Sequence, residues 1–294
     1  KLTSLDLSKF NTSKVTVMNG MFSGCNALTA LDISSFNTSN TTDMEYMFAS
    51  CQKLTSLDLS KFNTSKVTVM DWMFAECHAL TSLDLSNFDI STVISMNHMF
   101  SGCNALTSLN LSKWNTSKSH DMNAMFNGCT QLTSLDLSSF NTSNVDYMGN
   151  MFSGCSGLTS LDLSSFNTSK TTNMVGMFKG CNALTEIKGT LDLVQCYDIS
   201  DYNEDTGEDN IIYALTGMFD GCNSLTNITF KNINASLSLS SSPLITHDCL
   251  VSVINALVTQ SSTGKTLKLG STNLAKLTAA EIKVGTDKNW AITA

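Results

Sequence analysis

The sequence predicts an α/β solenoid: 26-residue strand–turn–short-helix units, stacked with a parallel sheet on one face and closed by a C-terminal cap. Three observations predict it. Cysteines stand at 25, 51, 77, 103, 129, 155 and 181, each 26 residues after the last. Every other feature keeps step with them, the unit reading L-T-S-L-D-L-S-x-F-N-T-S-x-V-T-x-M-x-x-M-F-x-G-C-x-x. Within each unit the apolar period also changes, from alternation to helical spacing.

The first part of the unit reads as a strand. Leu2, Leu5 and Leu7 follow L-x-x-L-x-L, with the last two inward around an outward Asp6. This is the pattern of a leucine-rich repeat. Phe10 leads into Asn11-Thr12-Ser13, residues that favour turns and helix N-caps through side-chain-to-backbone bonds. Val15, Met18, Met21, Phe22 and Cys25 are then spaced as one face of a short helix, with Gly24 placed as its C-terminal cap. Ser50 and Glu76 replace that glycine in two units. No unit can bury both its faces alone. Stacking does so, turning each Leu, Met and Phe column into a ladder of roughly 5 Å per rung.

Residues 1–230 form the repeat array: seven regular units and an eighth carrying an acidic insertion at about 187–215. Residues 1–18 and 53–70 are identical, which points to growth by duplication and to further repeats before Lys1. Residues 231–294 read as the capping region. There Thr246 to Val258 is an amphipathic helix, Thr266 to Leu269 a strand and Thr278 to Val284 a second helix.

The core M-F-x-G-C-x-x-L-T-x-L-D-L-S, as in Met21-Phe22-Ser23-Gly24-Cys25-Asn26-Ala27-Leu28, resembles the BspA-like leucine-rich-repeat surface proteins of bacteria. The segment from Ser236 onward, notably Leu267 to Leu277, resembles the cap that often closes such arrays. The resemblance implies an extracellular or cell-surface adhesion module without enzymatic activity.

Composition narrows the partners. The 294 residues carry a net charge of −8, and none of the 17 cations is arginine. Nucleic-acid binding rests on clustered cations and the guanidinium fork, so it is excluded as an expectation. No apolar run approaches the ~20 residues of a spanning helix. No signal peptide is visible, and the targeting segment is expected upstream of Lys1.

Several features invite chemistry. Cys222 joins the cysteine column, where parallel side chains oppose disulfide geometry, and no C-x-x-C pair offers zinc. A buried, reduced ladder is expected, with Cys196 and Cys249 left as a pair that could bridge. Asp6, Asp32, Asp58, Asp84, Asp136 and Asp162 share one outward column, where neighbouring charges repel by roughly 0.8 kcal/mol in water. Flanking serines and Lys9, Lys61 and Lys113 relieve that row, or it binds cations or a basic partner. In the insertion Asp201, Asn203 and Asp205 match the opening ligands of a calcium loop, but Gly207 falls one place late and no closing Glu follows. No other cofactor is expected.

The positions flanking the Met18 column vary most. Tyr46, Trp72 and His98 occupy consecutive rungs of one such column, with Tyr147 in a neighbouring one. They are either a drifting solvated surface or an exposed aromatic strip suited to sugar rings or a protein anchor. The recurrent Asn-x-Ser/Thr sequons suit capping better than glycosylation. The four histidines occupy unrelated positions, so no catalytic set assembles. The expected partner is a protein or glycan on a host or neighbouring cell. The alternative is a spacer, stalk or virion fibre component.

Overall fold

The computed structural model describes residues 2–203, 208–212 and 214–294, and of 199–203 and 208–212 the backbone path. It is a solenoid whose rungs follow the 26-residue period. Parallel pairing joins β1 (Ser82–Leu83) to β2 (Ser108–Leu109). A three-stranded parallel sheet joins β3 (Ser160–Asp162), β4 (Glu186–Asp192) and β7 (Asn227–Lys231), with an irregularity between Glu186 and Thr190. Elsewhere the same columns are bonded more sparsely, as where the Thr55 N–H donates to the Thr29 carbonyl at 3.4 Å. Inward Leu and outward Asp alternate as the sequence predicts, Leu83 and Leu85 being buried on either side of exposed Asp84.

The second half of the unit differs from expectation: it is a stack of turns rather than a short helix. In the fourth rung the N–H groups of Met96, His98, Phe100 and Gly102 donate to carbonyls of the next rung, at Asp121, Asn123, Met125 and Asn127 (2.7–3.1 Å). The intervening N–H groups of Met99, Ser101 and Cys103 turn back onto the carbonyl three residues earlier. An α-helix would spend every N–H on the residue four back and leave none for the neighbour. Left-handed φ at His98 (56°) and Gly102 (74°) alternates the peptide directions and frees every second N–H for the next rung. The glycine read as a helix cap is one of two left-handed positions, four residues apart, that recur in each unit.

Within this frame the core is a set of ladders. Phe48, Phe74, Phe100, Phe126, Phe152 and Phe178 stack face to face at centroid spacings of 5.7–5.8 Å. A second file runs through Trp114, Phe140 and Phe166 at 6.3–6.4 Å. Each fully buried ring of these files contributes ~1.5–3 kcal/mol gross, as do the buried Leu and Met of the neighbouring ladders. Asn-Thr-Ser also acts differently from a helix cap. The Asn11 side chain accepts the Ser13 N–H at 3.1 Å. The Thr beside it is buried and ties rungs together. Thr142 Oγ1 donates to the Asn167 carbonyl at 3.0 Å and accepts the Asn167 N–H at 2.8 Å.

All ten cysteines are free thiols, Cys196 and Cys249 included. From Cys51 onward each ladder Sγ donates to the phenylalanine carbonyl of the rung before, as Cys103 does to Phe74 at 3.1 Å. Cys196 and Cys249 donate to separate carbonyls, those of Thr171 and Ile228, and form no bridge. The insertion, expected as a loop, holds an antiparallel pair, β5 (Ile199–Asn203) with β6 (Glu208–Ile212).

Beyond β7 come β8 (Leu237–Ser238), α1 (His247–Asn255), β9 (Lys265–Lys268), α2 (Ser271–Leu274), α3 (Ala279–Thr286) and β10 (Trp290–Thr293). Strands β8, β9 and β10 form a parallel sheet in the order β10-β9-β8. Thr246 caps α1 by accepting the Cys249 N–H, and α1 buries Cys249, Leu250, Val253 and Ile254. A Thr278–Glu281 capping box opens α3. The two predicted helices and the strand are present within a few residues of their expected ends; α2 and β10 were not expected. Among the described residues no helix is long and apolar enough to cross a membrane.

Candidate binding face on the turn stack

The turn stack carries three columns on either side of the buried methionines, beginning at Val17, Asn19 and Gly20 and solvent-facing in most rungs, though Ala124, Gly149 and Gly176 are buried. The alternation that bonds rung to rung puts the last column at left-handed φ in every rung. Gly20, Gly176 and Gly217 occupy it without strain, at φ 59–63°. Tyr46, Trp72 and His98 occupy it at 55°, 58° and 56°. An L-residue there costs roughly 1–2 kcal/mol, because Cβ crowds the following carbonyl oxygen.

The three rings stack. Tyr46 lies 5.8 Å from Trp72 at 19°, and Trp72 lies 3.8 Å from His98 at 6°. Tyr46 is 37% exposed, and its two neighbours are half-buried within the file. Burial pushes the His98 imidazole below its usual value, against the opposing pull of Asp121. Its Nδ1 meets the Asn97 side-chain oxygen. Tyr147 is exposed but two rungs further along in a neighbouring column, away from the stack.

The file stops at Ala124, which keeps the same left-handed φ (50°) with only a methyl group. A groove of about 320 Å³ opens there, with the far side of His98 as one wall. Asn97, Asn123, Asn150 and Asn173 line it. Three of their oxygens are occupied from within: that of Asn97 meets His98 Nδ1, that of Asn123 accepts the Gly149 N–H at 2.6 Å and that of Asn173 the Val175 N–H at 2.9 Å. Asn97 and Asn150 belong to the variable columns, but none of the four amides stands out in sequence as a site. Their only signal was that Asn recurs beside the aromatic column.

Variation in the first two columns has a structural side. In five rungs a side-chain oxygen satisfies the N–H of the second column. Asp43, Asp121 and Asn173 serve Glu45, Asn123 and Val175 two residues on. Where the first column is Ser95 or Tyr147, the rung before supplies the acceptor: Asp71 for Asn97 and Asn123 for Gly149. Burial pushes the Asp71 and Asp121 carboxyls up from the ordinary range, against the hydrogen bonds they accept.

The six aspartates of the strand column line none of this groove. All are exposed, and each accepts the N–H of the serine two residues on, as Asp6 does from Ser8 at 2.9 Å. The hydroxyl and N–H of Ser8 hold Asp6 below the usual carboxylate range. Clefts lie between successive aspartates, that beside Asp136 and Asp162 having about 370 Å³. Asp201 and Asn203 of the suggested calcium loop fall on β5, and Asp205 lies outside the described residues. Among the described residues no three His, Cys, Asp or Glu side chains converge as a metal centre.

Among solved structures the chain is similar to a leucine-rich repeat protein from Bacteroides ovatus, at 15% identity and a TM-score of 0.25, covering 95% of this chain and 88% of that one. It is similar to a TLR13–ssRNA13 complex at 16% identity and 0.23, covering 96% of this chain and 52% of that one. The functional domain of InlJ from Listeria monocytogenes, described as including a cysteine ladder, gives 17% identity and 0.17, with 90% and 66% covered. Scores this low carry no argument, and the solenoid assignment rests on the rungs described above. No curated protein matches the chain. One family model matches residues 1–109 and again 103–211, most of the repeat array. The chain therefore belongs to the family described as Mycoplasma protein of unknown function, DUF285.

Proposed function

We propose that this chain is a non-enzymatic binding module of the BspA-like kind, displayed at the cell surface, whose turn-stack face engages a protein or glycan of a host or neighbouring cell. The observation that carries this is the aromatic file at left-handed φ. Relative to glycine each of the three residues gives up about 0.5–1 kcal/mol at that φ, which two stacked contacts at ~0.5–1.5 kcal/mol each roughly offset. Glycine fills the same column elsewhere without strain. Three rings in consecutive rungs of a column that elsewhere holds Gly, Ala124 or Asn150, with little net gain in stability, are what a recognition surface requires.

The test is binding of the chain to dense arrays of glycans and extracellular-matrix proteins, with and without calcium. It runs beside a triple variant, Tyr46→Gly, Trp72→Gly and His98→Gly, in which glycine suits the backbone. A signal lost in the variant supports the reading. A calcium-dependent signal untouched by the variant moves the site to the acidic rows. Silence throughout sinks it in favour of a spacer, stalk or virion fibre component.

A further inference from the structure

The aromatic file ends with an unfinished step. His98 covers Trp72 with one face and borders with the other a groove that the buried Ala124 of the next rung floors. That step is one rung, on the order of 5 Å, which a single stacked ring fills. At about 320 Å³ the groove sits at the lower end of ligand pockets, which run from ~300 to ~1,000 Å³. We propose that a pyranose ring of a neutral glycan completes the stack there, on the His98 face, with the buried Ala124 at the groove's floor. This rests on the binding reading above and names its ligand class.

The lining selects that class. A pyranose offers an apolar C–H face to an aromatic platform and a rim of hydroxyls to its surroundings. The amide NH₂ groups of Asn97, Asn123, Asn150 and Asn173 donate to no protein acceptor among the described residues, which leaves four neutral donors around one groove. Hydroxyl oxygens satisfy them. The aromatic side chain of a partner protein would stack equally well but leave those donors unmet on burial. A nucleotide would bring phosphate to a groove lined by no Lys, in a chain of net charge −8. Burial disfavours the charged form of the imidazole platform.

Ala124→Trp tests this by filling the step with the protein's own ring. The column already carries aromatics at φ 55–58° in three consecutive rungs, so the backbone accepts one more. The probes are neutral oligosaccharides from cellulose, chitin and dextran, with AMP and indole as comparators. Titration gives affinity, and NMR saturation transfer shows whether sugar C–H protons lie on the His98 ring. The expected result is oligosaccharide binding that falls roughly tenfold or more in A124W and in the triple glycine variant. Asn150→Gly, which removes one donor at a left-handed position, is expected to weaken it several-fold and serves if A124W fails to fold.

Binding that survives or strengthens in A124W, yet disappears in the triple variant, overturns the unfinished-step site and leaves the aromatic face as the binding surface. Binding that survives the triple variant overturns both. Binding of AMP or indole without any oligosaccharide overturns the ligand class, as does silence toward every probe.

Discussion

Replacing Trp72 first by Ala and then by Gly isolates what the left-handed backbone costs. Both variants remove the indole and its stacking on Tyr46 and His98, so those losses cancel in the comparison. What remains is the Cβ at φ 58°. Alanine there keeps a penalty of roughly 1–2 kcal/mol that glycine does not have. Glycine loses about 0.5–1 kcal/mol through its freer unfolded chain. The difference favours Gly by ~0.5–1 kcal/mol, the reverse of the usual ranking. Lys179 is the control, an exposed residue of the same turn stack outside the left-handed set, where Gly should fall below Ala by about 0.5–1 kcal/mol. Urea unfolding reads both pairs. With a slope of ~3 kcal/mol/M, Trp72→Gly should unfold roughly 0.2–0.3 M later than Trp72→Ala at unchanged slope. If Ala is the more stable at both positions, the strain assigned to the aromatic column is absent, and with it the argument that function maintains it. The two Trp72 variants should bind equally poorly, since both lack the ring.

Four other outcomes follow from the packing. Trp114 stands in a phenylalanine file with its buried Nε1–H unpartnered among the described residues, so Trp114→Phe should stabilise the chain by about 1 kcal/mol in denaturant melts. Thr142→Val keeps the shape but strips both bonds to Asn167, and a loss of ~2 kcal/mol is expected by the same assay. Nine cysteines are buried and Cys25, in the first rung, is only partly so; burial pushes the Cys51 thiol up to about 12. An aromatic disulfide reagent should therefore label at most Cys25 in the native chain and all ten thiols after unfolding. In an NMR titration His98 should protonate below the usual imidazole value, and His247, hydrogen-bonded to Asp248 and Glu281, above it. The His98 contribution to stability is present above the unfolded value of ~6.5 and is lost as pH falls through its folded pKa. That of His247 is complete below ~6.5 and is lost as pH rises through its folded pKa.

The repeat, the inward Leu, Met, Phe and Cys columns and the main elements of the cap were legible in the sequence. Each apolar column must be buried, and only in-register stacking of identical units buries them all at once. The cysteine ladder followed for the same reason, since side chains in one column point the same way. The sequence could not distinguish a short helix from a stack of turns, because Val15, Met18, Phe22 and Cys25 present one apolar face in either case. The tertiary structure decides between them: an N–H spent inside a helix cannot reach the next rung, and His98 and Gly102 at positive φ release it. It also gives Thr142 its role, since a hydroxyl that bonds the neighbouring rung looks, within one unit, like a turn residue. The aromatic strip was visible as three consecutive variants of one column. The groove beside it was not, because it arises from a size step between His98 and Ala124 and from asparagines drawn from four rungs, which only stacking brings within reach of one another.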